Sequence, residues 1–148
     1  MTDVGPALRA AVIANAAISS ELSQWQGEPA VFTRLPIPED ATFPCVVIPF
    51  DASTLDQDAL VSRRTVIMRD IMVYGNIAAP GTSDDDTRIV DDIARELRTM
   101  FHRNKAALVN TSYHVIDIVV NGPRPAPVDD DKTVGRMVTL TLRIQDGS

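Results

Sequence analysis

The sequence predicts an α+β protein, with a mixed or antiparallel sheet of about five strands and two helices packed on one face. Three observations carry this prediction. Two segments repeat apolar residues at helical spacing, and several others alternate apolar and polar residues as strands do. Most of the predicted strands also follow one another with no helix between them, which favours antiparallel pairing of neighbours.

Size and composition favour a single folded domain over residues 1–148. A chain of 148 residues can bury its own core and is short for two domains. A hydrophobic fraction of 45% is typical of a globular protein. The formal net charge of −6 disfavours a nucleic-acid-binding surface, because binding phosphates requires clustered Lys and Arg. No apolar run has the roughly 18 to 20 residues of a membrane span, so no membrane partner is expected.

The first predicted helix covers residues 7–22, which are rich in alanine and carry Leu8, Val12 and Ile18 at core spacing. Residues 24–29 end this helix. Within them, Gly27 is suited to the left-handed backbone conformation that often follows a helix C-terminus. We therefore expect one uninterrupted helix, followed directly by strands.

The next predicted strands cover residues 30–35 and 44–50. Pro44 and Pro49 flank the second strand, which should therefore be short and near an edge. Residues 51–62 form a polar stretch that we interpret as a long loop, of the kind that is often functional.

Residues 63–74 form the longest predicted strand, which is apolar on both faces. Alternation places Val66, Met68 and Met72 on one face. It places Ile67, Ile71 and Val73 on the other face. Both faces must then be covered, within the chain or by another subunit. Met68 and Met72 are therefore candidate subunit contacts, together with Arg63 and Arg64 at the start of the same strand.

The second predicted helix covers residues 84–101, and two alternating strands follow it. The helix has one apolar stripe, which consists of Ile89, Ile93, Leu97, Met100 and Phe101. In the strand that starts near residue 113, alternation groups Ile116 with Ile118 and Val120. The last strand places Val138, Leu140, Leu142 and Ile144 on its buried face. Residues 121–133 between these strands form a second long, proline-rich loop.

Two aspartate triplets raise the question of a metal site. Asp84, Asp85 and Asp86 precede a helix, where acidic residues interact favourably with the helix dipole. Asp129, Asp130 and Asp131 lie in the 121–133 loop, without the glycine and terminal glutamate of a calcium-binding loop. We interpret the first triplet as a helix start and the second as a solvated loop tip, whose charges are also candidate contacts with a partner. A small metal-dependent hydrolase using both clusters is the alternative of a different class.

No motif indicates catalysis or cofactor binding. The sequence lacks a GxSxG elbow, a GxGxxG or GxxxxGK[ST] loop, and an HxxxH or HxH pair. The single cysteine, Cys45, lies in an apolar run and is interpreted as a buried hydrophobe. We therefore predict no catalytic residue, no metal and no cofactor.

The order of these segments resembles the small tail-terminator (tail-completion) proteins of long-tailed bacteriophages and related gene-transfer particles. Five segments carry the resemblance: ALRAA at 7–11, FPCVVI at 43–48, RDIMVYG at 69–75, IAREL at 93–97 and VTLTLRI at 138–144. They match in order and spacing across nearly the whole chain, and they include no signature residue of chemical function.

The resemblance implies a structural, non-enzymatic protein that forms a ring, usually a hexamer, on the head-proximal end of the tail tube. Its partners would be further copies of itself, the tail tube protein and a neck or head-completion protein, and DNA would only pass through the ring. The protein would be assembled in the host cytoplasm and end in the tail or neck of the virion. Another head-tail connector or neck component is the nearest alternative, and a bacterial adaptor is a third.

Overall fold

The computed structural model describes residues 5–33, 42–49, 53–58, 63–76, 87–108, 113–126 and 133–146. The helices are α1 (Gly5–Ala14), α2 (Ala16–Ser19) and α3 (Thr87–Phe101), and a 3-10 turn follows at Lys105–Ala107. The strands are β1 (Gln24–Trp25), β2 (Glu28–Pro29), β3 (Val31–Phe32), β4 (Cys45–Val47), β5 (Ser53–Asp58), β6 (Arg63–Asn76), β7 (Tyr113–Pro125) and β8 (Thr133–Asp146).

The main sheet has six strands and is mixed, which confirms the predicted fold class. Its strand order is β3-β4-β6-β8-β7, and β5 pairs with the first half of β6, on the side that β4 occupies further along. Among the described strands of this sheet, β3 and β4 pair parallel, and the remaining pairs are antiparallel. The long β6–β8 pair, from Arg64 opposite Gln145 to Asn76 opposite Thr133, is the centre of the sheet.

The predicted first helix is interrupted at Asn15. The Asn15 backbone is extended, and its Oδ1 accepts hydrogen bonds from Ala17 N at 3.0 Å and Ile18 N at 3.3 Å, so it caps α2. Its Nδ2 donates to Glu96 Oε1 on α3 at 3.3 Å. The prediction of one continuous helix over 7–22 was wrong, because an asparagine that can satisfy free backbone N–H groups starts a new helix.

A two-stranded hairpin follows α2 where the sequence suggested only a helix end. β1 and β2 pair antiparallel, and Gln26 and Gly27 form the turn with φ of 51° and 81°. Positive φ at both central residues is typical of tight hairpin turns. Gly27 is left-handed as predicted, but it serves a hairpin turn and not the C-terminus of a helix.

Both predicted long loops contain strand residues. Residues 53–58 form β5, paired with β6 from Ser53 opposite Met68 to Asp58 opposite Arg63. At 121–133, residues 121–125 belong to β7 and Thr133 already belongs to β8. Both loop predictions were therefore too long. Their polar and proline-rich composition does not indicate strands, but the backbone of these residues hydrogen-bonds to the long strands β6 and β8.

All the helices pack on one face of the main sheet. The large core cluster joins buried residues of α1, α2 and α3 to inward-facing residues of the strands. The α3 stripe is confirmed: Ile93, Leu97 and Phe101 are buried, while Ile89 and Met100 pack against the cluster from its margin. On β8, alternation placed Val138, Leu140, Leu142 and Ile144 correctly, since each is 0% exposed.

A smaller apolar cluster covers part of the opposite, helix-free face. Its buried members are Ala30, Phe32, Cys45, Val47, Met72, Tyr74 and Ala126, and Trp25, Phe43 and Met137 pack against them. The Trp25 and Phe32 rings meet edge to face, with centroids 5.3 Å apart. The β1–β2 hairpin thus supplies a second covering layer that the sequence did not reveal.

Candidate assembly surface

The helix-free face of the sheet is covered over one half and open over the other. Met72 and Tyr74 of β6 lie in the small cluster. Met68, four residues before Met72 and on the same face of the strand, is 42% exposed. In the cross-strand register, Met68 faces Thr141, which faces Val119, and Val66 faces Arg143. We call the surface formed by Val66, Met68, Val119, Thr141 and Arg143 the open sheet face; none of the five is buried.

A polar belt separates the covered half from the open sheet face. Thr139 Oγ1 donates to Asp70 Oδ1 at 2.6 Å and accepts a hydrogen bond from Arg124 Nη2. Arg124 Nη2 also lies 3.9 Å from Asp70 Oδ1. One buried hydroxyl therefore joins a carboxylate to a guanidinium across three adjacent strands.

The structure separates the residues predicted as subunit contacts. Met68 lies on the open sheet face. Met72 is only 8% exposed, and its sulfur accepts a hydrogen bond from the Tyr74 hydroxyl at 3.2 Å. Arg63 and Arg64 occupy the start of β6, where Arg64 pairs in register with Gln145. The triplet Asp129, Asp130 and Asp131 lies outside the described residues, as does the triplet at 84–86.

A β-bulge changes which residues of β7 face the core. The register between β7 and β8 shifts between Val115 and Asp117, so Ile116 is an extra residue. Val115 is 6% and Ile118 0% exposed, whereas Ile116 is 37% exposed. The predicted grouping of Ile116 with Ile118 was therefore wrong, because a bulge reverses the alternation of all residues before it.

The outer edge of β7 is contacted by the end of α3. Arg98 Nη1 donates to Val120 O at 2.9 Å and to Gly122 O at 3.0 Å. The His102 Nδ1 atom accepts from Val120 N at 3.1 Å, and Arg103 N donates to Ile118 O at 2.8 Å. Sequence reasoning missed these contacts because they join residues about 15 to 24 positions apart without any motif.

The solvent side of α3 carries mixed charge. A shallow depression there is lined by Thr87, Arg88, Asp91, Asp92 and Arg95. Asp91 Oδ1 accepts a hydrogen bond from Arg136 Nε of β8 at 2.8 Å, which ties the helix margin to the sheet. Asp91 thus has a structural partner, and Asp92 remains exposed.

Cys45 is a buried thiol, as predicted. It is 0% exposed in the small cluster, and burial raises its pKa from 9.0 to about 12. A thiol that keeps its proton is a poor nucleophile, because the thiolate is the reactive form.

Two features of the described residues bear on the alternative functions. Within the ranges that the structure describes, no three His, Cys, Asp or Glu side chains gather where they could hold a metal ion. Among the same residues, no helix is both long enough and apolar enough to span a bilayer.

Comparison with known proteins gave one informative result. No family model and no curated protein matches the sequence. Among solved structures, a chain of the "Virion of native gene transfer agent (GTA) particle" superposes with a TM-score of 0.74 at 12% sequence identity. The match covers 97% of this chain and 95% of the other. At this identity, it establishes a shared fold over nearly the full length of both chains.

Proposed function

We propose that the chain is a structural, non-enzymatic protein of a tailed-phage or gene-transfer particle. More specifically, it acts as a tail terminator that forms a hexameric ring on the head-proximal end of the tail tube. The observation that carries this proposal is the end-to-end fold correspondence with a chain of a gene transfer agent virion. The sequence resemblance to tail terminators rests on different grounds, the order of short segments, and leads to the same class of protein.

The surfaces of the chain are compatible with ring formation. A ring needs a heterologous interface, so each subunit must present two different surfaces. The open sheet face offers an apolar one around Met68, and the charged outer side of α3 is of a different kind. We propose that the open sheet face contacts the neighbouring subunit, and that the acidic triplet at 129–131 contacts a neighbouring subunit or tail protein through charge.

Net charge suits the passage of DNA without binding. With a formal charge of −6, the ring repels the duplex, so DNA moves through without adhering. A ring structure whose lumen is dominated by Arg and Lys would contradict this part of the proposal.

The test is to examine the purified protein by native mass spectrometry and negative-stain microscopy, alone and with tail tubes of the particle whose genes flank its own. We expect hexameric rings, or single caps on one end of each tube. A protein that forms no ring and leaves tube ends bare under both conditions would refute the proposal. A gene located far from tail-tube genes would favour the adaptor alternative.

A matched pair of variants tests the open sheet face. Met68→Glu places a charge on a side chain that is 42% exposed, so folding should be retained while ring formation or capping is lost. Met72→Glu, on the same strand and face, buries a charge at a position that is 8% exposed and should destabilise the fold itself. Normal assembly by folded Met68→Glu would exclude the open sheet face as the contact.

The hydrolase alternative has its own test. Calorimetric titration with Mg²⁺, Ca²⁺ and Mn²⁺ should show no saturable binding. Binding that disappears when Asp84, Asp85 and Asp86 are changed to Asn would instead support a metal-dependent enzyme.

A further inference from the structure

The outer edge of β7 is closed by hydrogen bonds from within the chain. Among the strands that the structure describes, β7 is the last of the sheet, and none of them pairs with its outer backbone groups. An edge strand with free N–H and C=O groups is a template on which another strand can add. Between the two register shifts of β7, however, these groups are already occupied.

The occupation is complete for Ile118 and Val120. The N–H of Ile118 donates to Asp117 Oδ1 at 2.9 Å, and its carbonyl accepts from Arg103 N at 2.8 Å. The N–H of Val120 donates to His102 Nδ1 at 3.1 Å, and its carbonyl accepts from Arg98 Nη1 at 2.9 Å. Four consecutive outward groups, from the Ile118 N–H to the Val120 carbonyl, therefore have partners in this chain, and Arg98 also reaches the Gly122 carbonyl.

Arg103 adopts an unusual backbone conformation in this arrangement. Its φ of 56° is left-handed, a conformation that non-glycine residues seldom adopt. In that conformation its N–H reaches Ile118 O, and its Nη1 pairs with Asp117 Oδ2 at 2.6 Å. The same residue therefore closes the edge directly and holds the Asp117 carboxylate that accepts from Ile118 N.

We propose that Arg98, His102 and Arg103 act as a lock that prevents a second copy of this chain from pairing with the β7 edge. A subunit that must stop at a closed ring cannot leave a sheet edge open to unlimited strand addition. The lock directs association away from β7 and onto other surfaces. This inference follows from the contacts at β7 and holds whether or not the protein caps a tail tube.

The experiment removes side-chain hydrogen bonds to the outer edge of β7 and measures self-association. In Arg98→Met/His102→Leu, the stem of each side chain remains while the donor to two carbonyls and the acceptor for Val120 N are removed. The control is Glu21→Gln, at an exposed position between α2 and β1 that belongs to neither the open sheet face nor the charged side of α3. Sedimentation over a range of concentrations gives the association constant, and hydrogen exchange of the Val120 amide reports on the edge itself.

We expect the unlocked variant to associate at least about tenfold more tightly than wild type and the control, without a fixed final mass. Its Val120 amide should exchange faster than in wild type when dilute and become protected as concentration rises. If the double variant does not fold, Arg98→Lys replaces it in the experiment. Lysine keeps the positive charge but lacks the guanidinium group, so this variant should show the same change to a smaller degree. Folded variants whose association and exchange match wild type at every concentration would overturn the lock. Tube-end capping is a separate readout, so failure of the lock and failure of the proposed function remain distinguishable.

Discussion

Replacing Thr139 by valine removes the centre of the polar belt while keeping its shape. Thr139 is 7% exposed, and its single hydroxyl donates to Asp70 and accepts from Arg124. Valine has the same branching and fits the strand, but can make neither bond. The change therefore isolates the hydroxyl from the packing of the sheet.

The expected loss follows from the surroundings of the two partners. A hydrogen bond to a fully buried charged group contributes about 1.5 to 3 kcal/mol. The side chains of Asp70 and Arg124 are 42% and 43% exposed, so water can replace the hydroxyl at each. We therefore take about 1 kcal/mol for each bond, or about 2 kcal/mol in total. For a chain of this size, that corresponds to a decrease in Tm of about 4 to 8 °C.

The assay is thermal and urea denaturation of Thr139→Val beside Thr141→Val. Thr141 lies on the same strand and face, is partly exposed and is not part of the belt, so it corrects for the strand preference of valine. Equal stability of the two variants, within about 0.5 kcal/mol, would show that the belt contributes nothing measurable and refute the reasoning.

Four further predictions concern stability and reactivity. Gly122→Ala should cost about 1 to 3 kcal/mol, because φ is +110° and a Cβ would lie 2.9 Å from Met137 O; Gly27→Ala, at φ +81° with no atom within 4 Å, should cost less in the same denaturation assay. Leu97→Ala should cost about 2 to 5 kcal/mol by urea unfolding, since Leu97 is 0% exposed in the core. Cys45 should resist iodoacetamide at pH 8 until the protein unfolds, and rapid labelling of the native state would contradict its burial. Because its pKa rises from 9.0 to about 12 on folding, the stability that the protonated thiol contributes should be complete below pH 9 and decline as pH rises toward 12, as measured by urea unfolding across that range.

The sequence by itself determined the elements whose residues carry their own periodicity. The apolar stripe of α3 and the alternation of β8 appear correctly in the pattern, because each is long enough for one buried face to impose a regular spacing. The α+β class and the burial of Cys45 followed from the same local signals. These features depend on residues close together in the chain.

Only the tertiary structure decided the features that depend on distant partners. β5 has no alternation of apolar and polar residues, and it forms because its backbone pairs with β6 through hydrogen bonds. The bulge at Ile116 is fixed by pairing with β8, and it reversed the predicted facing of Val115 and Ile116. Met72 is covered because the β1–β2 hairpin closes over one half of the sheet, and Met68 is left exposed on the other half. The closed edge of β7 depends on where α3 ends relative to the sheet, a spatial relation that no spacing in the sequence records.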